Sequence, residues 1–179
     1  MSFEHLGTET VWEGRVASVH VERFRHPDGA EVERERVGHP GAVAVAAHDD
    51  RYVYMVRQPR EAVREAALLE VPAGKLDEEG ESPLQTGKRE LAEEIGKEAA
   101  TWREATSYWS SPGFTDERIH VFVATDLSDA PEAEPAAGDE DERIEVVPWP
   151  LERLDELIDG CQDGKSLVAL LWLRRLRSA

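Results

Sequence analysis

The stretch 69-LEVPAGKLDEEGESPLQTGKRELAEEIG-96 decides how this chain folds. Leu68, Leu69 and Val71 close an apolar run of the kind a buried strand shows. Pro72, Ala73 and Gly74 break that run. Ser82 stands directly before Pro83. Serine is a favoured N-cap, and proline suits the first helical turn because its missing N–H would have found no partner there. Gln85, at the third position after Ser82, completes a capping box. Gly96 is placed to end the helix in the left-handed conformation. The pattern predicts a strand, a glycine loop, and a helix between Ser82 and Gly96.

Projected at about 100° per residue, Leu84, Leu91 and Ile95 fall on one stripe with Gly87 beside them. Glu90, Glu93 and Glu94 fall together, well away from it. A glycine inside a helix costs about 1 kcal/mol against alanine, and close packing on a strand is one reason to keep it. Three carboxylates so close repel one another unless something neutralises them. Magnesium and manganese take oxygen ligands and would do so. For the string RELAEE alone, the plain alternative is a solvated acidic face salted by Lys88 and Arg89.

The whole segment resembles the Nudix box. That pattern is Gly, five residues, Glu, seven residues, Arg-Glu, an aliphatic, any residue, Glu-Glu, any residue, Gly and an aliphatic. Arg89-Glu90-Leu91-Ala92-Glu93-Glu94-Ile95-Gly96 matches its second half, and seven residues separate Glu81 from Arg89 as required. Two departures stand out: six residues rather than five separate Gly74 from Glu81, and Lys97 replaces the final aliphatic. The extra residue falls in the loop Asp77-Glu78-Glu79-Gly80, where insertion is cheap. The expected outcome is an intact helix after a longer loop.

The chain has 179 residues, 40% of them apolar and 33% charged, which is the composition of one globular domain with at most an appended element. Its formal charge is −17, from 38 acidic and 21 basic residues, and this excludes a general electrostatic field for nucleic acid. An anionic small substrate would need local Arg or Lys and bound metal. Cys161 is the only cysteine, so no intrachain disulfide can form, which suits a reducing compartment. The start MSFEHLGTE has neither a basic segment nor an apolar core, and does not read as a signal peptide. No apolar run approaches the ~20 residues of a membrane helix. The expected location is cytoplasmic, with no membrane partner. The histidines show no zinc-type spacing, and His20 and His120 read as strand residues.

From about residue 9 to 37 the chain reads as antiparallel strands with a turn at His26-Pro27-Asp28-Gly29. This part is poor in apolar residues and needs another surface to cover it. After His39-Pro40-Gly41, the runs 42–47 and 52–56 flank Asp49-Asp50 and read as a central β-hairpin. Strands are expected at 102–108, 119–124 and 143–147, with an acidic loop over 126–141. Leu151, Leu154, Leu157 and Ile158 have helical spacing. The segment 167–177 reads as a final helix with a basic end, which suits its dipole.

Over most of the chain, from about residue 10 to 175, the resemblance is to the ADP-ribose pyrophosphatase branch of the Nudix hydrolases. It is carried by VRQPR (56–60), LEVPAGKLD (69–77), the box, and SPGFTDE (111–117), with Pro112 about fifteen residues beyond the box. Pro59 stands where that branch usually has an aromatic. The resemblance implies an α/β fold: a Nudix α/β/α sandwich with a mixed sheet (42–179), preceded by an N-terminal antiparallel β element (1–41) that pairs across a homodimer. It implies Mg²⁺ or Mn²⁺ held by Glu90, Glu93, Glu94 and the carbonyl of Ala73, with Arg89 orienting the carboxylates and Glu81 capping or supporting them. The general base is expected on the late acidic loop, at Glu142 or, second, Glu140, with Glu117 a further alternative. Arg60 and Gln58 are expected to meet the diphosphate or terminal ribose of a nucleoside diphosphate sugar, because a guanidinium pairs with phosphate oxygens as a fork. Pro112 and Gly113 are expected beside the sugar. Trp12 reads as a stacking platform or as an interface residue. The implied reaction splits ADP-ribose into AMP and ribose 5-phosphate. The alternatives are another nucleoside diphosphate sugar such as GDP-mannose, or a non-catalytic ADP-ribose sensor.

Overall fold

The protein is described by a computed structural model covering residues 2–131 and 143–178. The chain forms two compact units: Met1–Gly41 with Trp109–Arg118, and Ala42–Tyr108 with Ile119–Ala179.

In the first unit, β1 (Glu4–Glu13), β2 (Ser18–Arg25) and β3 (Glu31–Gly38) form an antiparallel meander in that order. The turn between β2 and β3 is the one expected. Gly29 has φ +85°, which glycine takes without strain, and its N–H donates to the carbonyl of His26 at 2.9 Å. Trp109–Arg118 joins this unit through long-range polar contacts. The N–H of Val37 donates to the Phe114 carbonyl at 2.8 Å, and the Asp116 carboxylate accepts from Arg36 and from the His39 N–H. The meander has no core of its own. Among its described residues only Gly38 and Gly41 are buried, while Phe3, Val11, Trp12 and Val16 are each more than half exposed.

The second unit is built around β4 (Ala42–Ala47), all six residues of which are buried. It lies between β7 (Ala73–Lys75), antiparallel, and β9 (Arg118–Asp129), parallel, with β8 (Lys97–Trp109) beyond β9. This is a mixed sheet, and successive strand residues point to opposite faces. Val43, Val45 and Ala47 pack with Leu91 and Ile95 of α1 (Pro83–Ile95). Ala42, Ala44 and Ala46 pack with Leu154 and Leu157 of α2 (Leu154–Gly160) and Ala169, Leu170 and Leu173 of α3 (Gly164–Arg177). The layers are helix, sheet and helix. A second sheet has the order β10 (Glu145–Pro150), β5 (Tyr52–Arg60), β6 (Glu65–Glu70). Pro148 and Pro150 fall on an edge strand, where a missing N–H is tolerated.

α1 has the predicted ends. The Ser82 N–H donates to Gln85 Oε1 at 2.9 Å, the Gln85 N–H donates to Ser82 Oγ at 3.4 Å, and Gly96 ends the helix at φ +66°. A Cβ at Gly87 would stand 3.3 Å from Val43 Cγ2, so the helix does approach the strand closely there. The extra residue ahead of Glu81 is absorbed by a turn in which Gly80 has φ +85°.

Three expectations change. β4 and β5 are joined by the expected turn but share only the bridge His48 to Val53, and they enter different sheets. Both edges of β4 are already taken by β7 and β9, so it has no ladder to offer β5. β9 runs on to Asp129, into the expected loop, because Leu127 packs on the α1-facing cluster and Lys97 Nζ meets Asp129 at 2.6 Å. β10 begins at Glu145 rather than Arg143. Among the described residues no helix is long and apolar enough to cross a membrane.

Candidate active site

α1 packs over β7, and the two meet through backbone that has been stripped of side chain. A Cβ at Gly74 would lie 2.0 Å from the Glu90 carboxyl carbon. The Glu90 side chain therefore occupies the space that any residue but glycine would fill. One turn later, Glu94 Oε2 accepts the Ala73 N–H at 2.9 Å. Glu90 and Glu94 are thus both seated on the Ala73-Gly74 step, which the 3.6-residue repeat allows for positions i and i+4.

Arg89 gathers the remaining charge. Its Nη1 meets Glu90 Oε1 at 2.9 Å and Glu93 Oε2 at 3.0 Å, and its Nε meets Glu81 Oε2 at 3.4 Å. Glu81 also accepts from the Thr86 hydroxyl at 3.0 Å. Burial works against the Arg89 charge, but Glu90, Glu93 and Glu81 outweigh it and hold the guanidinium above its ordinary value. In this arrangement Arg89 answers the carboxylates. Among the described residues no three His, Cys, Asp or Glu side chains form a ready metal cluster. The donors do suit a hard divalent cation in kind: two carboxylates one turn apart, seated on the Ala73-Gly74 backbone, with Glu93 beside them and all ligands oxygen.

Arg60, at the end of β5, is held by Glu70. Nε donates to Oε1 at 2.7 Å and Nη2 to Oε2 at 2.8 Å, a two-pronged pair. Glu94 lies close enough to act on the Arg60 charge. Gln58, two residues earlier, is 7% exposed. Glu70 itself is fully buried, and its second cation is Lys165. Burial pushes the Glu70 carboxyl up, but the Arg60 hydrogen bond and the Lys165 charge win and hold it below the ordinary glutamate range.

The structure therefore brings together Ala73, Glu81, Arg89, Glu90, Glu93 and Glu94, with Arg60 nearby. Pro112 and Gly113 lie on an exposed turn of the first unit. Glu117 in that unit faces His39 at 3.6 Å, and Trp12 is exposed on β1. Glu140 and Glu142 lie outside the described residues. An apolar groove lined by Leu84, Trp102 and Phe122 contains none of the candidate residues. Sequence reasoning passed over Glu70 and Lys165. The available signal was an acid set inside the apolar run LLEVP, because a carboxylate buried there needs a cation from elsewhere in the chain.

A family model described as NUDIX domain matches residues 38–171. The ADP-ribose pyrophosphatase of Bacillus subtilis (strain 168) is 40% identical over 172 residues, covering 94% of this chain and 91% of that protein. The methanol dehydrogenase activator of Bacillus methanolicus is 40% identical over 173 residues, covering 94% and 91%. A crystal structure of an ADP compounds hydrolase superposes with a TM-score of 0.85 at 24% identity, covering 99% of this chain and 95% of that one, a likeness of fold.

Proposed function

The chain belongs to the Nudix family and is a Nudix pyrophosphohydrolase, and on that premise we propose that it hydrolyses the diphosphate bond of ADP-ribose to AMP and ribose 5-phosphate. The observation that carries this reading is the seating of Glu90 on Gly74 and of Glu94 on the Ala73 N–H. Two carboxylates seated on one backbone step, one of them close enough to act on the Arg60 charge, support a metal site next to a phosphate site. The 40% identity to an ADP-ribose pyrophosphatase supports the choice of substrate.

Nudix hydrolases generally use divalent metal ions. Here Mg²⁺ or Mn²⁺ would be held by Glu90, Glu93, Glu94 and the Ala73 carbonyl. When bound, such an ion neutralises diphosphate charge and lowers the pKa of a coordinated water. Arg89 keeps Glu90 and Glu93 turned toward one another and ties them to Glu81. Arg60, with two of its five N–H donors committed to Glu70, offers others to the diphosphate, and Gln58 stands on the same strand. Glu142, or second Glu140, takes the proton of the attacking water. The protein acts in the cytoplasm as a homodimer that covers the apolar side chains of the β1–β3 meander, with Trp12 at or near that interface.

The test is a direct chromatographic assay that resolves AMP and ribose 5-phosphate from the substrate. ADP-ribose and GDP-mannose are supplied with Mg²⁺ or with EDTA, to wild type and to Glu94→Gln. Magnesium-dependent cleavage of ADP-ribose that is lost in Glu94→Gln is the expected result. Preference for GDP-mannose would overturn the substrate, and binding of ADP-ribose without any product would overturn the enzyme.

A further inference from the structure

The segment from Glu70 to Ala73 is held from two sides. On one side Glu94 accepts the Ala73 N–H. On the other, the first turn of α3 reaches it twice, through Ser166 and Lys165. The Val71 N–H donates to Ser166 Oγ at 2.8 Å, the Ser166 hydroxyl donates to Asp163, and Lys165 bridges Asp163 at 3.0 Å to Glu70. Ser166 and Glu70 are fully buried, and Lys165 is only 15% exposed at its side chain. Asp163 also caps α3, accepting the Ser166 N–H at 3.0 Å. The four charged groups Arg60, Lys165, Glu70 and Asp163 balance, two against two. Without Lys165 the same site would carry a net negative charge directly behind the arginine that faces an anionic substrate.

We propose that Lys165 is a positioning residue for diphosphate recognition: by neutralising the buried Glu70 from the α3 side, it lets Glu70 hold Arg60 as a fixed fork rather than draw the guanidinium inward. This rests on the proposed hydrolysis of a nucleoside diphosphate sugar. Lys165 does not touch substrate; it acts through Glu70 on Arg60. A structural contact between helix and sheet would affect stability alone. A positioning role affects substrate affinity and depends on Arg60.

The experiment compares wild type, Lys165→Met, Lys165→Arg, Arg60→Ala and the Arg60→Ala/Lys165→Met double variant in Mg²⁺-dependent ADP-ribose turnover, with thermal unfolding alongside. Loss of one well-formed charged contact is expected to raise KM about tenfold in Lys165→Met while kcat stays within about twofold. Lys165→Arg restores most of the loss. In the Arg60→Ala background Lys165→Met raises KM no further, because the two residues act as one unit. An unchanged KM in a folded, active Lys165→Met, or a full additional effect in the double variant, overturns the proposal alone. If Lys165→Met does not fold, Glu70→Gln carries the same expectation, and an unchanged KM there overturns it. A wild type without turnover of either ADP-ribose or GDP-mannose overturns the proposed function, and this inference with it.

Discussion

Glu90 lies against the bare Cα of Gly74, so close that a Cβ there would stand 2.0 Å from its carboxyl carbon. The clash partner is the end of a flexible side chain rather than backbone, so Gly74→Ala should fold. It displaces the carboxylate by about an ångström or more, which is enough to cost about a hundredfold in rate. The expected outcome is a near-normal unfolding midpoint with kcat on ADP-ribose reduced to that extent. Wild-type kcat would show that the seat is irrelevant to turnover.

Glu70 provides a pH signature. Its carboxyl is held below the ordinary value of 4.5 in the folded protein. A depressed folded pKa means that its contribution to stability is complete above 4.5 and is lost as the pH falls through the folded value. The difference in unfolding free energy between wild type and Glu70→Gln should therefore be largest near neutrality and shrink as the solution is made more acid. A difference that grew on acidification would contradict the pairing with Arg60 and Lys165.

Gly96 has φ +66° at the end of α1. Alanine there meets the left-handed penalty of about 1 kcal/mol or somewhat more. Chemical denaturation of Gly96→Ala should register that loss, and Ser82→Ala at the other end should lose about 1 kcal/mol through its N-cap. Indifference at both sites would mean that α1 is held by its apolar stripe alone.

Tyr54 should ionise only in strongly alkaline solution. Burial, with its hydrogen bond to Asp49 at 2.8 Å, pushes the phenol up to about 12. Absorbance at alkaline pH, compared between wild type and Tyr54→Phe, should assign the late transition to this residue. A Tyr54 phenol that ionised near the ordinary value of 10.0 would contradict the contact to Asp49.

The apolar side chains of β1 provide the assembly test. Val11 and Trp12 are 60% and 55% exposed on a strand with no described core beneath it. Sedimentation should give twice the 20.0 kDa chain mass for the wild type, and Trp12→Glu should shift the species toward a single chain. A monomeric wild type would leave those side chains without the proposed cover.

What was legible in the sequence was local. The α1 caps, the stripe of Leu84, Leu91 and Ile95, and the separate face of Glu90, Glu93 and Glu94 all depend on partners within about one turn, so residue order alone specifies them. The turn at His26–Gly29, the acidic character of the site and the family resemblance belong to the same class, and the alternating core of β4 could be read as apolar without knowing its neighbours. Tertiary structure decided the rest. β4 and β5 look like a hairpin until β7 and β9 occupy both edges of β4. Gly74 reads as a loop glycine until Glu90 needs the space of its missing side chain. Glu70 and Lys165 are separated by 95 positions, and nothing in either neighbourhood announces the other. Their pairing follows from burial. Once packing removes a carboxylate from water, a cation must come from whatever element the fold brings beside it, and here the fold brings the first turn of α3.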